Sequence, residues 1–333
     1  MKTCHTLRPS ATWCKIKNHK SQTKLGDHVK IVTFVAGGQL RWGAVRGDAV
    51  VDLNLARAMH LASRGMEAKY LATDVLDFIR QGEQVWDAAN ETLEFIGHRV
   101  IEGISFPLST VKLLAPLPNP SKIVAIGLNY GAHRQEQNEV EATNIQPILF
   151  PKFPNAIIGP GETITWDPAI TQQVDYEAEL GVVIGKRAKR VSEVEALDFV
   201  FGYLNLNDVS ARDLQFDEKG GKQWARGKSL DTFCPMGPYI VTKDEIADPQ
   251  KLAIRCWVNG ELRQNSNTEF MINGVAQLIT FISQGITLMP GDIIASGTPS
   301  GVGHFANPPV YLKPGDVVEV EVEGLGRLSN PVK

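Results

Sequence analysis

The sequence predicts an α+β protein with a mixed, rolled sheet, and three observations carry that prediction. Segments with period-two alternation dominate, Gly, Pro, Asn and Asp turns recur to the end of the chain, and helical spacing is confined to a few short stretches. Val29 to Val35 alternates, meets the turn Ala36-Gly37-Gly38 and returns through Leu40 to Val45 as a hairpin. Arg46-Gly47-Asp48 then turns the chain into Ala49-Val-Val-Asp-Leu, and helical spacing follows over 73–82 and 85–96. Residues 29–113 therefore read as a small α+β module.

The proline-punctuated stretch Leu114 to Ser121 marks the boundary with a main domain over 114–333. That domain holds strand patterns at 122–127, 174–184, 199–207 and 252–258, the last turned by Asn259-Gly260 into 262–264. Pro290-Gly291-Asp292 and Pro314-Gly315-Asp316 each open a further strand, and helices are expected over 130–140, 191–196 and 273–284. No internal repeat or low-complexity tract interrupts this order.

Composition excludes several classes of function. The chain has 333 residues, 43% hydrophobic and 21% charged, enough to bury a core in a large and a smaller domain. A net charge of −3 with dispersed basic residues gives no footprint for a phosphate backbone, so no nucleic-acid partner is expected. The apolar runs fall far short of the roughly 20 residues a membrane span needs. Cys4, Cys14, Cys234 and Cys256 lie far apart with no C-x-x-C pair, and read as thiols in a reducing compartment. Met1 to Gly26 is basic, Ser/Thr-containing and free of acid, which fits an organellar transit peptide or a disordered basic tail over 1–28. The first reading places the protein in mitochondria; the alternative is the cytoplasm.

Val174-Asp-Tyr-Glu-Ala-Glu-Leu is the most informative segment. As a strand it puts Asp175, Glu177 and Glu179 on one face. Such carboxylates either face solvent or are bridged by a hard divalent cation. The continuation into Val182-Val-Ile, apolar on both faces, shifts the balance toward the cation. Asp208, after Gly202 to Asn207, can complete a three-oxygen set suited to Mg²⁺ better than Zn²⁺, since no Cys or His is near in sequence. His133 and Glu136, three apart on an expected helix, form either an exposed polar pair or a carboxylate-oriented general base. Asp208, Arg212 and Gln215 at offsets of four and seven share a helical face that could bind a carboxylate, or cap the helix and form a surface ion pair. Lys228, in a glycine- and aromatic-containing loop, is an enolate stabiliser or an ordinary surface lysine. Ser296-Gly-Thr-Pro-Ser-Gly-Val-Gly303 offers backbone amides but lacks the Lys-Ser/Thr of a phosphate loop.

Together Gly127 to Glu136, Asp175 to Leu180, Asn207 to Gln215, Gly227 to Phe233 and Ser296 to Gly303 resemble, in order and spacing, the fumarylacetoacetate hydrolase superfamily over residues 114–333. The chain is most similar to the domain-containing proteins of that superfamily that carry an extra N-terminal module. Eukaryotic members of that branch are mitochondrial and associated with oxaloacetate tautomerisation. The resemblance implies a mixed β-roll and a homodimer, with Mg²⁺ or Mn²⁺ on Glu177, Glu179 and Asp208. It also implies a catalytic His133–Glu136 dyad on a lid, with catalytic Lys228. Asn129, Tyr130, Lys152, Arg212, Gln215 and Thr298 then bind a small 2-keto acid. The longer tyrosine-pathway hydrolase uses a fourth carboxylate ligand that has no counterpart here, which argues against fumarylacetoacetate as substrate. A metal-held enolate is common to three outcomes: tautomerisation of oxaloacetate, cleavage of acylpyruvates and decarboxylation of oxaloacetate. The branch favours the first. A non-catalytic metal and keto-acid binding protein is the alternative of a different class.

Overall fold

In the computed structural model, residues 29–136, 146–218 and 220–333 are described. The expected transit or tail segment over 1–28 and the end of the expected 130–140 helix lie outside them. The fold is α+β, built on a twelve-stranded mixed sheet. Its main path runs Ser105–Pro107, Ala49–Asp52, Gln39–Arg46, Lys30–Ala36, Cys234–Thr242, Val200–Asn207, Ala178–Ile184, Ile293–Ala295, Ile123–Gly127 and Ile148–Lys152. The pairing of Ile293–Ala295 with Ile123–Gly127 is parallel and the other pairings along this path are antiparallel.

The hairpin expected at 29–45 forms, and its first strand pairs with Cys234–Thr242 through Lys30↔Val241 and Ile31↔Ile240. The segment 29–113 thus extends the same sheet that carries the acidic residues. A second, four-stranded sheet (Glu261–Asn267, Ala253–Val258, Val317–Val322, Arg327–Pro331) packs over its middle. Buried Asn205 ties the two together: its amide donates to the carbonyls of Gly237, Leu325 and Gly326, and its Oδ1 accepts from the Val322 N–H at 2.6 Å. An apolar core of Val182, Leu204, Leu206, Ile254, Val320 and their neighbours fills the space between.

Helices form at Val75–Gln81, Glu83–Ile96 and Val275–Gly285, close to the expected bounds. Over 191–196 there is instead a turn leading into a short 3₁₀ helix, Ala196–Phe199. The Arg190 and Val191 N–H groups bond to Ser283 at 2.9 and 3.0 Å, and the bonds that follow close over three residues, Glu195 N–H to the Ser192 carbonyl and Ala196 N–H to the Glu193 carbonyl, which gives tight turns and not an α-helix. An additional helix, Leu53–Ser63, begins at Asp52, whose carboxylate accepts from the Leu55 N–H. Among the described residues no helix is long and apolar enough to cross a membrane.

Candidate active site

The expected continuous strand over 174–184 is broken at Tyr176-Glu177. The Tyr176 N–H bonds Asp175 Oδ1 at 2.9 Å and the Glu177 N–H bonds Asn207 Oδ1 at 3.0 Å, so neither joins the ladder. Val174–Asp175 pairs with Ser210–Ala211, while Ala178–Ile184 pairs with Val200–Asn207 in the register Ala178↔Asn207. That register sets Glu177 and Glu179 beside Asp208, and the Asp208 N–H closes the corner onto the Glu177 carbonyl. All three are buried, and one carboxylate oxygen of each lies within 4.8 Å of the others. This is a buried acidic cluster capable of coordinating a divalent cation.

Buried carboxylates need compensating charge. Asp208 faces Lys152 at 2.6 Å and Lys228 at 2.8 Å; Glu177 faces Lys228 and Arg212, each at 2.7 Å; Asp175 faces Arg212 at 2.9 Å. Four buried carboxylates thus meet three buried cations, and Glu179 is the one without a cation in contact. Its Oε2 accepts from the Gly297 N–H at 3.0 Å, and its Oε1 is buried with no hydrogen-bond partner. Burial, with the charges of Asp208 and Glu177, pushes the Glu179 carboxyl well above the ordinary glutamate range. Burial would raise Glu177 too, but Lys228 and Arg212 overrule it and hold Glu177 at about 2.

Lys228 ends the short helix Trp224–Lys228; it is not in a loop, and it is buried. Asp208 does not share a helix with Arg212 and Gln215, because Ser210–Ala211 intervenes as a strand and the helix starts at Arg212. Arg212 still meets Gln215 Oε1 at 2.9 Å. Neither the surface lysine nor the surface ion pair describes these residues. His133 Nδ1 lies 3.0 Å from Glu136 Oε2, and Glu136 Oε1 accepts from the Gly301 N–H at 2.9 Å. His133, Glu177, Arg212, Gln215, Lys228 and Thr298 line one small cavity, closed on its apolar side by Ile126, Leu128, Phe150 and Trp224.

Three other expected residues sit around this cavity. Lys152 reaches Asp208 from behind and also bonds the Lys228 carbonyl. Asn129 fastens its loop to Ser296 and Asn273. Tyr130 is buried with its hydroxyl unpartnered, and burial together with the Glu179 charge pushes the phenol above its ordinary range. Thr298 Oγ1 donates to the Ala178 carbonyl at 3.0 Å.

Sequence reasoning missed the work done by Asp175 and by the 296–303 loop. Asp175 accepts from Tyr176, Gly303, His304 and Arg212. The loop's amides serve this chain's own carboxylates: Gly297 N–H holds Glu179, Gly301 N–H holds Glu136 and Gly303 N–H holds Asp175. A Cβ on Gly303 would stand 1.8 Å from the Val310 carbonyl oxygen, so only glycine lets the loop come this close. The glycine spacing was the available signal.

A family sequence profile for the C-terminal domain of fumarylacetoacetate hydrolase matches residues 122–333. The chain belongs to the fumarylacetoacetate hydrolase family. Among its members, the mitochondrial oxaloacetate tautomerase of Xenopus laevis is 48% identical over 256 residues, covering 77% of each chain. A mitochondrial oxaloacetate tautomerase of Bos taurus is 43% identical over 309 residues, covering 92% of each. Of solved structures in the family, the fumarylacetoacetate hydrolase of Exiguobacterium antarcticum aligns with a TM-score of 0.75 at 37% identity, covering 92% of this chain and 99% of its own. The maleylpyruvate hydrolase of Sphingobium aligns at 0.70 and 31%, covering 91% and 98%.

Proposed function

We propose that this protein is a divalent-cation-dependent enzyme that interconverts the keto and enol forms of a small 2-keto dicarboxylic acid, with oxaloacetate as substrate. The observation that carries the reading is that one small cavity is lined both by Glu177 of the buried Glu177–Glu179–Asp208 cluster and by His133 of the His133–Glu136 pair. The names of the tautomerase relatives support the choice of reaction.

The donor set fits Mg²⁺ or Mn²⁺: three hard carboxylate oxygens converge, and the unpartnered Glu179 Oε1 is a ligand atom in want of a cation. Glu177, Glu179 and Asp208 would hold the ion, which when bound supplies Lewis acidity toward the 2-keto oxygen and the adjacent carboxylate. With a divalent ion the buried charge becomes net positive, matched to an anionic substrate. Arg212 and Gln215 hold a carboxylate, Arg212 being braced by Asp175. Lys228 keeps Glu177 and Asp208 in place and sets its positive charge beside the developing oxyanion. Glu136, fixed by the Gly301 amide, accepts from His133 Nδ1 and leaves Nε2 as the basic nitrogen. His133 takes the proton from C3 and the conjugate acid returns it to the enol oxygen, the reverse serving ketonisation.

A second reading, hydrolysis of an acylpyruvate, draws on the likeness to maleylpyruvate hydrolase. There His133 and Glu136 deprotonate a water that attacks the distal carbonyl. We further propose that the enzyme works in mitochondria, as its relatives' names indicate, as a homodimer, with 29–113 as an accessory module on a 114–333 catalytic domain. The deciding experiment follows enol-oxaloacetate absorbance with and without Mg²⁺, with pyruvate release and acetylpyruvate cleavage measured in parallel. Accelerated enol loss without pyruvate is expected. Cleavage of acetylpyruvate moves the assignment to hydrolase, and pyruvate release from oxaloacetate moves it to decarboxylase. His133→Ala should lose roughly 10²–10⁴-fold in rate while still binding Mg²⁺; unchanged turnover removes the dyad from the chemistry.

A further inference from the structure

One residue, Trp224, is common to the linings of the candidate site and of a second, outer hollow. Trp224 lines the inner cavity, a tight space of about 10 Å³, together with Phe150, Gly127 and the polar groups. It also lines an adjoining, mainly apolar surface hollow of about 530 Å³ formed with Phe153, Arg226, Ser229 and Leu230. The indole is held from three sides. Its ring packs on bare backbone at Gly127, where a Cβ would lie 2.6 Å from Trp224 Cζ3. It meets Phe150 edge-on at 5.4 Å and 70°, and Phe216 at 6.4 Å and 86°. Four residues along the same short helix, Lys228 Nζ stands 5.4 Å from the centroid of the Phe150 ring. The helix therefore presents a cation to the polar end of the cavity and an indole to its apolar end.

We infer that Trp224 sets the length of 2-keto acid the site accepts. The inference rests on the functional reading above and extends it to the part of the substrate far from the metal ligands. A chain whose 2-keto carboxylate end lies against Arg212, Gln215 and Glu177 runs toward Phe150 and Trp224, and the indole ends the cavity there. Removing it joins the cavity to the outer hollow and gives a longer alkyl tail apolar surface to cover. Burying one methylene is worth about 0.8 kcal/mol, or about fourfold in affinity.

The test is calorimetric binding of straight-chain 2-keto acids from pyruvate to 2-ketooctanoate to the full-length Mg²⁺-loaded protein, comparing wild type with Trp224→Ala and Trp224→Leu. The leucine variant keeps apolar volume against Gly127 should alanine impair folding, and near-ultraviolet circular dichroism verifies the fold of both. The wild type should show affinity that stops rising or falls after the shorter members. The variants should gain about fourfold per added methylene over the next two or three members. The same chain-length profile in all three proteins overturns the role of Trp224 and leaves the keto-acid reading standing. Oxaloacetate is titrated alongside: its binding without that of any straight-chain member overturns the role of Trp224 alone, and no binding of oxaloacetate or of any member by any of the proteins overturns both.

Discussion

Replacing Asp175 with asparagine probes how a buried charge network outside the proposed metal ligands supports them. Asp175 Oδ1 accepts from the N–H groups of Tyr176 and Gly303 at 2.9 and 2.8 Å. Its Oδ2 accepts from Arg212 Nε and the His304 N–H, both at 2.9 Å. Asparagine keeps one of these oxygens and turns the other into an NH₂ that points at two donors. Two buried donors then lose their acceptor, at about 1–3 kcal/mol each, and buried Arg212 loses half its compensating charge. The expected destabilisation is about 4 kcal/mol, the middle of the range for breaking a buried pair. For a chain of this size, roughly 2 °C of melting temperature goes with each kcal/mol, so the fall is on the order of 8 °C by differential scanning calorimetry. Arg212 should also turn toward Glu177, at 2.7 Å already its nearest acceptor, and weaken Mg²⁺ binding in the same variant. A melting temperature within about 1 °C of wild type would refute the charge accounting.

Further outcomes follow from the same geometry. Glu177→Gln should abolish Mg²⁺-dependent turnover and lower Mg²⁺ affinity in a titration; activity that survives exhaustive chelation contradicts this. Because the Glu179 carboxyl is raised, the metal-free protein folds with an extra proton. That proton's contribution to stability is complete below the unfolded-state pKa and is lost as pH rises through the folded one. Cation binding expels it, so Mg²⁺ affinity should rise with pH over the same window, with proton release detected by calorimetry in buffers of differing ionisation enthalpy; a pH-independent affinity rules this out. Gly303→Ala, placing a Cβ 1.8 Å from the Val310 oxygen, should displace the loop and lower both kcat and melting temperature. Wild-type values for both would show that the loop yields freely.

The alternation of Asp175, Glu177 and Glu179 put the acidic residues in view, and Val182 to Ile184 signalled that they are buried, because both signals are local to one strand. The break at Tyr176-Glu177 was hidden, since it depends on Asn207, thirty residues away, capturing the Glu177 amide. The helix read across Asp208 to Gln215 failed at its first turn for a similar reason: Ser210–Ala211 finds a strand partner in Val174–Asp175, and pairing outweighs spacing. The hairpin at 29–45 was legible from its Ala-Gly-Gly turn, whereas its union with Cys234–Thr242 was not, because two strands two hundred residues apart leave no periodic trace.

The three amides of the 296–303 segment bind carboxylates that perform three separate jobs: Glu179 in the acidic cluster, Glu136 behind the histidine and Asp175 behind the arginine. One stretch of backbone is therefore a common bearing for all of them, and none can be retuned alone by moving it. A thermal fluctuation that lifts the segment releases cation affinity, base strength and anion grip together. Heat inactivation should thus run as a single event, with loss of bound metal coinciding with loss of turnover below the temperature at which the sheets come apart.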